Sequence, residues 1–78
     1  MEFMALFFTH SGAVKYDRLI KSMGLKCELM PVPRKLSSNC GIGARFTFDG
    51  DINQLISEEI EKLFEVRGKD YELLYETE

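Results

Sequence analysis

Apolar and polar positions alternate along this chain in two different periods, and each change of period marks an element. Phe3 to Phe8 is a continuous apolar run that predicts a buried strand ending near Phe8 or Thr9. From Gly12 to Met23 the apolar positions Ala13, Tyr16, Ile20 and Met23, with Leu19 beside them, recur at helical spacing. Ser11 is a candidate N-cap and Gly24 a candidate terminating glycine, so this stretch reads as a first helix. Leu25, Cys27 and Leu29 alternate with Lys26, Glu28 and Met30 in a second strand bounded by Pro31. Ala44, Phe46 and Phe48 alternate with Arg45 and Thr47 in a third. Asp49-Gly50-Asp51 then breaks the chain, with Asp51 as N-cap of a second helix whose stripe is Ile52, Leu55, Ile56, Ile60 and Leu63. Arg67-Gly68-Lys69-Asp70 is a turn, and Tyr71 to Tyr75 a last strand.

The order β-α-β-β-α-β predicts an α+β ferredoxin-like fold, a four-stranded antiparallel sheet with two helices on one face. In that topology the turn after the first strand, the loop between the second and third strands, and the turn before the last strand share one end of the sheet. His10, Ser11 and the residues from Arg67 to Lys69 are therefore expected beside the loop that starts at Pro31. The first strand is apolar on both sides, with Phe3, Ala5 and Phe7 on one and Met4, Leu6 and Phe8 on the other. Leu74 joins the second set, which predicts a small open apolar patch and, as its simplest use, a homodimer through the sheet face.

Composition narrows the functional classes. With 78 residues, 45% apolar and 29% charged, the sequence reads as a single folded domain over 1–78. A net charge of -3 without a basic stripe argues against nucleic acid as a partner. The opening apolar run is too short for a signal peptide or a membrane span. Two cysteines, each alone in its segment, fit neither a disulfide framework nor a metal site, and a reduced cytoplasmic thiol is the simpler expectation. No cofactor motif is present.

The stretch from Pro31 to Gly43 is the hardest to explain as scaffold, because it gathers both prolines, two cations, Cys40 and two glycines in one long connection. Cys40 is flanked by Ser38, Asn39 and Gly41, with no alternation to bury it, whereas Cys27 lies on the apolar side of its strand and reads as core filler. A reactive thiol needs positive potential nearby. Arg34, Lys35 and Arg45 are close in sequence, His10 is expected close in space, and the first helix could direct its N-terminal dipole at the site. Ser37, Ser38 and Asn39 form the turn, and Gly41 and Gly43 would let backbone N–H groups converge as a cradle for an anion. The same parts would equally serve a small regulatory or anion-binding module with a structural Cys40, and the sheet patch would serve a protein-interaction adaptor.

Pro33-Arg34-x-Leu36-Ser37-Ser38-x-Cys40-Gly41, followed by Arg45-Phe46 and preceded by Thr9-His10 and the Ala13-to-Ile20 helix, resembles a family of small bacterial proteins described as selenium/sulfur carrier-like. The resemblance covers about residues 3 to 48. It implies a carrier in which Cys40 accepts a sulfur or selenium atom as a persulfide or selenenylsulfide from a donor protein and relays it to an acceptor protein. Without an acid/base pair or a nucleotide loop, such a chain would be a relay and not a self-sufficient enzyme.

Overall fold

The computed structural model describes residues 1–38 and 40–77. It contains one α-helix and a five-stranded antiparallel sheet, not the two helices and four strands of a ferredoxin-like fold. The elements are β1 (Glu2–Phe7), α1 (His10–Ser22), β2 (Cys27–Pro31), β3 (Ile42–Thr47), a 3₁₀ turn at Ile52–Leu55, β4 (Ile60–Arg67) and β5 (Asp70–Glu76). Across the sheet the strands lie in the order β2-β3-β1-β4-β5.

The expected second helix is a 3₁₀ turn followed by a strand, and the reason is a β-bulge. Phe7 pairs with Ile60 and Leu6 with Lys62, so Glu61 is the extra residue of β4 at that point. A bulge inserts one residue and resets the alternation. Ile60 and Leu63, three apart, therefore both face the side of the sheet that Phe7 and Ala5 face, and both are fully buried. A bulged strand thus presents the spacing of a helix. Asp51 does cap the 3₁₀ turn, its carboxylate accepting from the Asn53 N–H at 3.0 Å.

β3 and β4 flank β1 and both run antiparallel to it, so the chain must cross the sheet between Thr47 and Ile60. Residues 48–59 make that crossing without an α-helix. Leu55 anchors it, buried in the same cluster as Tyr16, whose hydroxyl donates to the Leu55 carbonyl at 2.8 Å. Helix α1 starts two residues earlier than expected. Thr9, not Ser11, is its N-cap, the side chain accepting from the Gly12 N–H at 2.9 Å. It is capped at Met23 and followed by Gly24, whose φ of +80° only glycine adopts at no steric cost.

Each face of the sheet has its own core. Toward the helix, Phe3, Ala5 and Phe7 pack with Ala13, Tyr16, Ile20, Ala44 and Phe46, and Tyr16 stands between Phe7 and Phe46 with ring centroids 5.3 and 5.7 Å away. On the other side Met4, Leu6 and Phe64 are covered by Met30, Val32, Leu36, Val66 and Tyr71. Met4 and Leu6 have no exposed surface, each burial contributing about 1.5–3 kcal/mol. The open apolar face expected to receive a second copy is therefore closed at these positions by the chain itself; Phe8 remains exposed, and in β5 a second bulge leaves Leu74 unpaired and puts Leu73, not Leu74, opposite Phe64 on this side.

Candidate functional site

The connection from β2 to β3 is what closes that second face. It leaves the sheet at Pro31 and returns at Ile42, and the Val32 N–H donates to the Gly41 carbonyl at 3.0 Å, drawing the loop shut at its base. A turn follows in which the Leu36 N–H reaches the Pro33 carbonyl at 2.9 Å, and Leu36 drops onto the cluster around Met4 and Leu6. From within the turn, Lys35 extends to the β4–β5 turn, donating to the Lys69 carbonyl at 2.8 Å and lying 3.6 Å from Asp70. The proline, lysine and leucine of this stretch are thus the parts of a strap over the sheet.

Ser38 brings the strap back to the end of β1. Its hydroxyl lies 3.0 Å from the Phe7 carbonyl, 3.2 Å from Glu61 Oε1 and 4.0 Å from Cys40 Sγ. Cys40 is half-buried against the helix-side core, and its thiol donates to the Ile42 carbonyl at 3.3 Å. His10, the first residue of α1, meets the Cys40 carbonyl at 2.8 Å. A carbonyl only accepts, so the ring nitrogen Nε2 carries the proton in this contact. Gly41 then turns the chain into β3 with φ +73°, and nothing lies within 4 Å of where a Cβ would be.

Several residues expected at Cys40 are placed elsewhere. Arg45 sits in β3 and holds Glu2 through two bonds of 2.7 and 2.9 Å, which keeps the Glu2 carboxyl below the usual carboxylate range. Arg67 pairs with Glu65 and Glu72 at the β4–β5 turn, at the opposite end of the sheet from the Phe7–Ile60 pair; of the residues Arg67 to Lys69 expected beside the loop, Lys69 does meet it, through Lys35, but away from Cys40. Gly43 is a paired residue of β3, opposite Leu6 and Met30, and so is not part of a cradle following Gly41. Arg34 and Ser37 are exposed on the strap. Asn39 lies outside the described residues.

Two acidic residues at this end of the sheet were not expected there. Glu59 lies against the first turn of α1, so close that a Cβ on Gly12 would come within 2.6 Å of its carboxylate. That is where a helix favours negative charge, and the helix N-terminus is thus met by this chain's own carboxylate. Glu61 reaches Ser38 because it is the bulge residue of β4. Neither placement has a signal in the sequence once 52–63 is read as a helix, which would send both side chains to solvent.

The second thiol is of a different kind. Cys27 packs on the helix-side core, and burial first, with the adjacent Asp17 carboxylate second, pushes its thiol up to about 12. Along the edge strand, Leu29, Met30 and Pro31 join Gly41 and Ile42 around an apolar depression of about 250 Å³, next in sequence to Cys40. Among the described residues no three His, Cys, Asp or Glu side chains gather as a metal site, and no helix is long and apolar enough to cross a membrane.

Fold and site together define a small sheet-and-helix domain that carries one half-buried thiol on a turn between adjacent strands. The chain belongs to the family described as putative Se/S carrier protein-like, whose model matches residues 2–76. That match runs well past Phe48 and takes in all of β4 and β5. No curated protein and no solved structure matches the chain.

Proposed function

We propose that this protein carries sulfur or selenium on Cys40, accepting the atom from a donor protein and passing it to an acceptor. The observation that carries the reading, beside family membership, is the contrast between the two thiols. Cys27 is packed into the core with its thiol pushed up to about 12, which leaves it almost wholly protonated near neutrality. Cys40 is half-buried like Cys27, but it sits on a turn outside the strands, directly before Gly41 with its φ of +73°, whereas Cys27 is a paired residue of β2.

In the transfer, the Cys40 sulfur, having given up its proton to solvent, attacks the terminal sulfur of a donor persulfide. A new S–S bond forms at Cys40 as the donor's S–S bond breaks, and the electron pair leaves with the donor's thiolate, which takes up a proton. Delivery to an acceptor thiol is the same exchange in reverse, so the cycle has no net oxidation and calls for no cofactor. Selenium would follow the same route as a selenenylsulfide. The alternative anion-binding module, built on Arg34, a Gly41–Gly43 cradle and the N-terminus of α1, is less well supported, because Gly43 is a paired residue of β3 and Glu59 already lies against the first turn of α1.

The test is intact-mass analysis after incubation with a cysteine desulfurase and cysteine, or with inorganic polysulfide. The wild-type chain should gain the mass of a sulfur atom, reversibly on reduction. Cys40→Ser should gain none, and Cys27→Ser should behave as the wild type. Equal uptake by wild type and Cys40→Ser, or none by either, would overturn the carrier reading.

A further inference from the structure

We infer that Glu61 is a positioning residue for Cys40, acting through Ser38 as a latch that holds the thiol in its half-buried arrangement. The inference begins with the bulge. Glu61 is the inserted residue opposite the Leu6–Phe7 step, and bulges re-aim side chains that regular alternation would send elsewhere. The bulge is itself pinned from the far side: the Thr77 N–H donates to the Glu61 carbonyl at 3.0 Å, and the Thr77 hydroxyl to the Ile60 carbonyl at 3.0 Å.

The Ser38 hydroxyl has one proton and three acceptors in reach, the Phe7 carbonyl at 3.0 Å, the Glu61 carboxylate at 3.2 Å and, more distantly, Cys40 Sγ at 4.0 Å. Sharing that proton, it ties the strap, two residues before Cys40, to the end of β1 or to the bulge of β4. With that tie made, the Cys40 thiol is directed at the Ile42 carbonyl. A reagent or partner that needs the sulfur must first draw the thiol away from the Ile42 carbonyl, and the Ser38–Glu61 contact, holding the strap in place, resists that movement. On the carrier reading, a docking donor protein releases the thiol by displacing this contact; the latch itself does not depend on that reading.

The two cysteines supply an internal control. Iodoacetamide labelling of the folded chain, followed by peptide mapping, gives separate rates for Cys40 and Cys27. Ser38→Ala, which leaves the Glu61 charge in place, and Glu61→Ala should each speed labelling of Cys40 about tenfold, the loss expected from one hydrogen bond to a charged group, with Cys27 unchanged. The double variant should be no faster than Ser38→Ala alone, because losing the Ser38 hydroxyl already breaks the Glu61 contact along with those to the Phe7 carbonyl and Cys40 Sγ. Unchanged Cys40 rates, a parallel rise at both cysteines, or effects that multiply in the double variant would each overturn the latch. Sulfur uptake is measured on the wild type in a separate reaction. A chain that takes up no sulfur but shows the coupled labelling pattern therefore loses the carrier reading and keeps this one.

Discussion

Gly43 of β3 pairs with Leu6 of β1, and the two strands approach so closely there that a Cβ on Gly43 would come 3.1 Å from Leu6 Cδ2 and 3.2 Å from the Ala5 carbonyl oxygen. Gly41, two residues earlier, has open space around it but a φ of +73°. The two glycines of the loop motif are thus required for opposite reasons, packing at Gly43 and backbone conformation at Gly41.

Alanine substitutions separate those reasons. Gly43→Ala should destabilise the fold by about 1–3 kcal/mol through overpacking, because backbone as well as side-chain atoms would have to give way. Gly41→Ala should cost about 1–2 kcal/mol through its left-handed backbone alone and should change iodoacetamide labelling of the adjacent Cys40. Urea unfolding measures the first effect and labelling the second. Wild-type stability in Gly43→Ala would contradict the close approach of β3 to β1.

Much of this structure is legible in the sequence, and the illegible parts share a cause. The strand at Phe3–Phe8, the helix around Ala13, Tyr16 and Ile20, and the strands ending at Pro31 and centred on Phe46 follow from period alone, and the structure contains each of them. The meeting of His10 with the Cys40 turn follows from their topological position and is present at 2.8 Å. The bulge at Glu61 has no periodic signature. It converts a strand into a helix-like spacing at Ile60 and Leu63, removes the second helix from the expected fold, and brings Glu61 to the site. The strap was hidden for a related reason: Val32 and Leu36 stand alone in a loop, and only the apolar second side of β1 showed that something must cover it.

Alkaline stability should report on the helix-side core. The Cys27 thiol is raised from 9.0 to about 12 and the Tyr16 phenol is raised as well, in both cases chiefly by burial. In the unfolded chain these groups ionise at their ordinary values, so above about pH 9 the unfolded state binds fewer protons than the folded one. Stability is therefore fully present below that pH and falls as pH rises, by up to about 1.4 kcal/mol per pH unit for each group that has ionised only in the unfolded state. Urea midpoints of the wild type should decline through this range. Cys27→Ala should decline less steeply between pH 9 and 10, where the thiol dominates, and an unchanged slope would mean that Cys27 is not buried as described.

The covering of the second face makes a prediction about Leu6 that differs from the one an open sheet would make. On an open patch, Leu6→Asp would leave the fold intact and disperse any dimer. Under the strap, Leu6 has no exposed surface and touches Met4, Phe64 and the residues that cap them, so an aspartate there would place a carboxylate in an apolar cluster. The expected outcome is loss of several kcal/mol and unfolding at ordinary temperature, seen as a collapsed urea transition. Phe8→Asp and Leu73→Asp, at side chains 42% and 48% exposed, the second opposite Phe64, should stay within about 0.5 kcal/mol of the wild type. Sedimentation velocity on those two variants is then the sound test of self-association by this side of the sheet, because a change in mass there cannot be blamed on unfolding. A Leu6→Asp chain with wild-type stability would show instead that the strap does not cover the face.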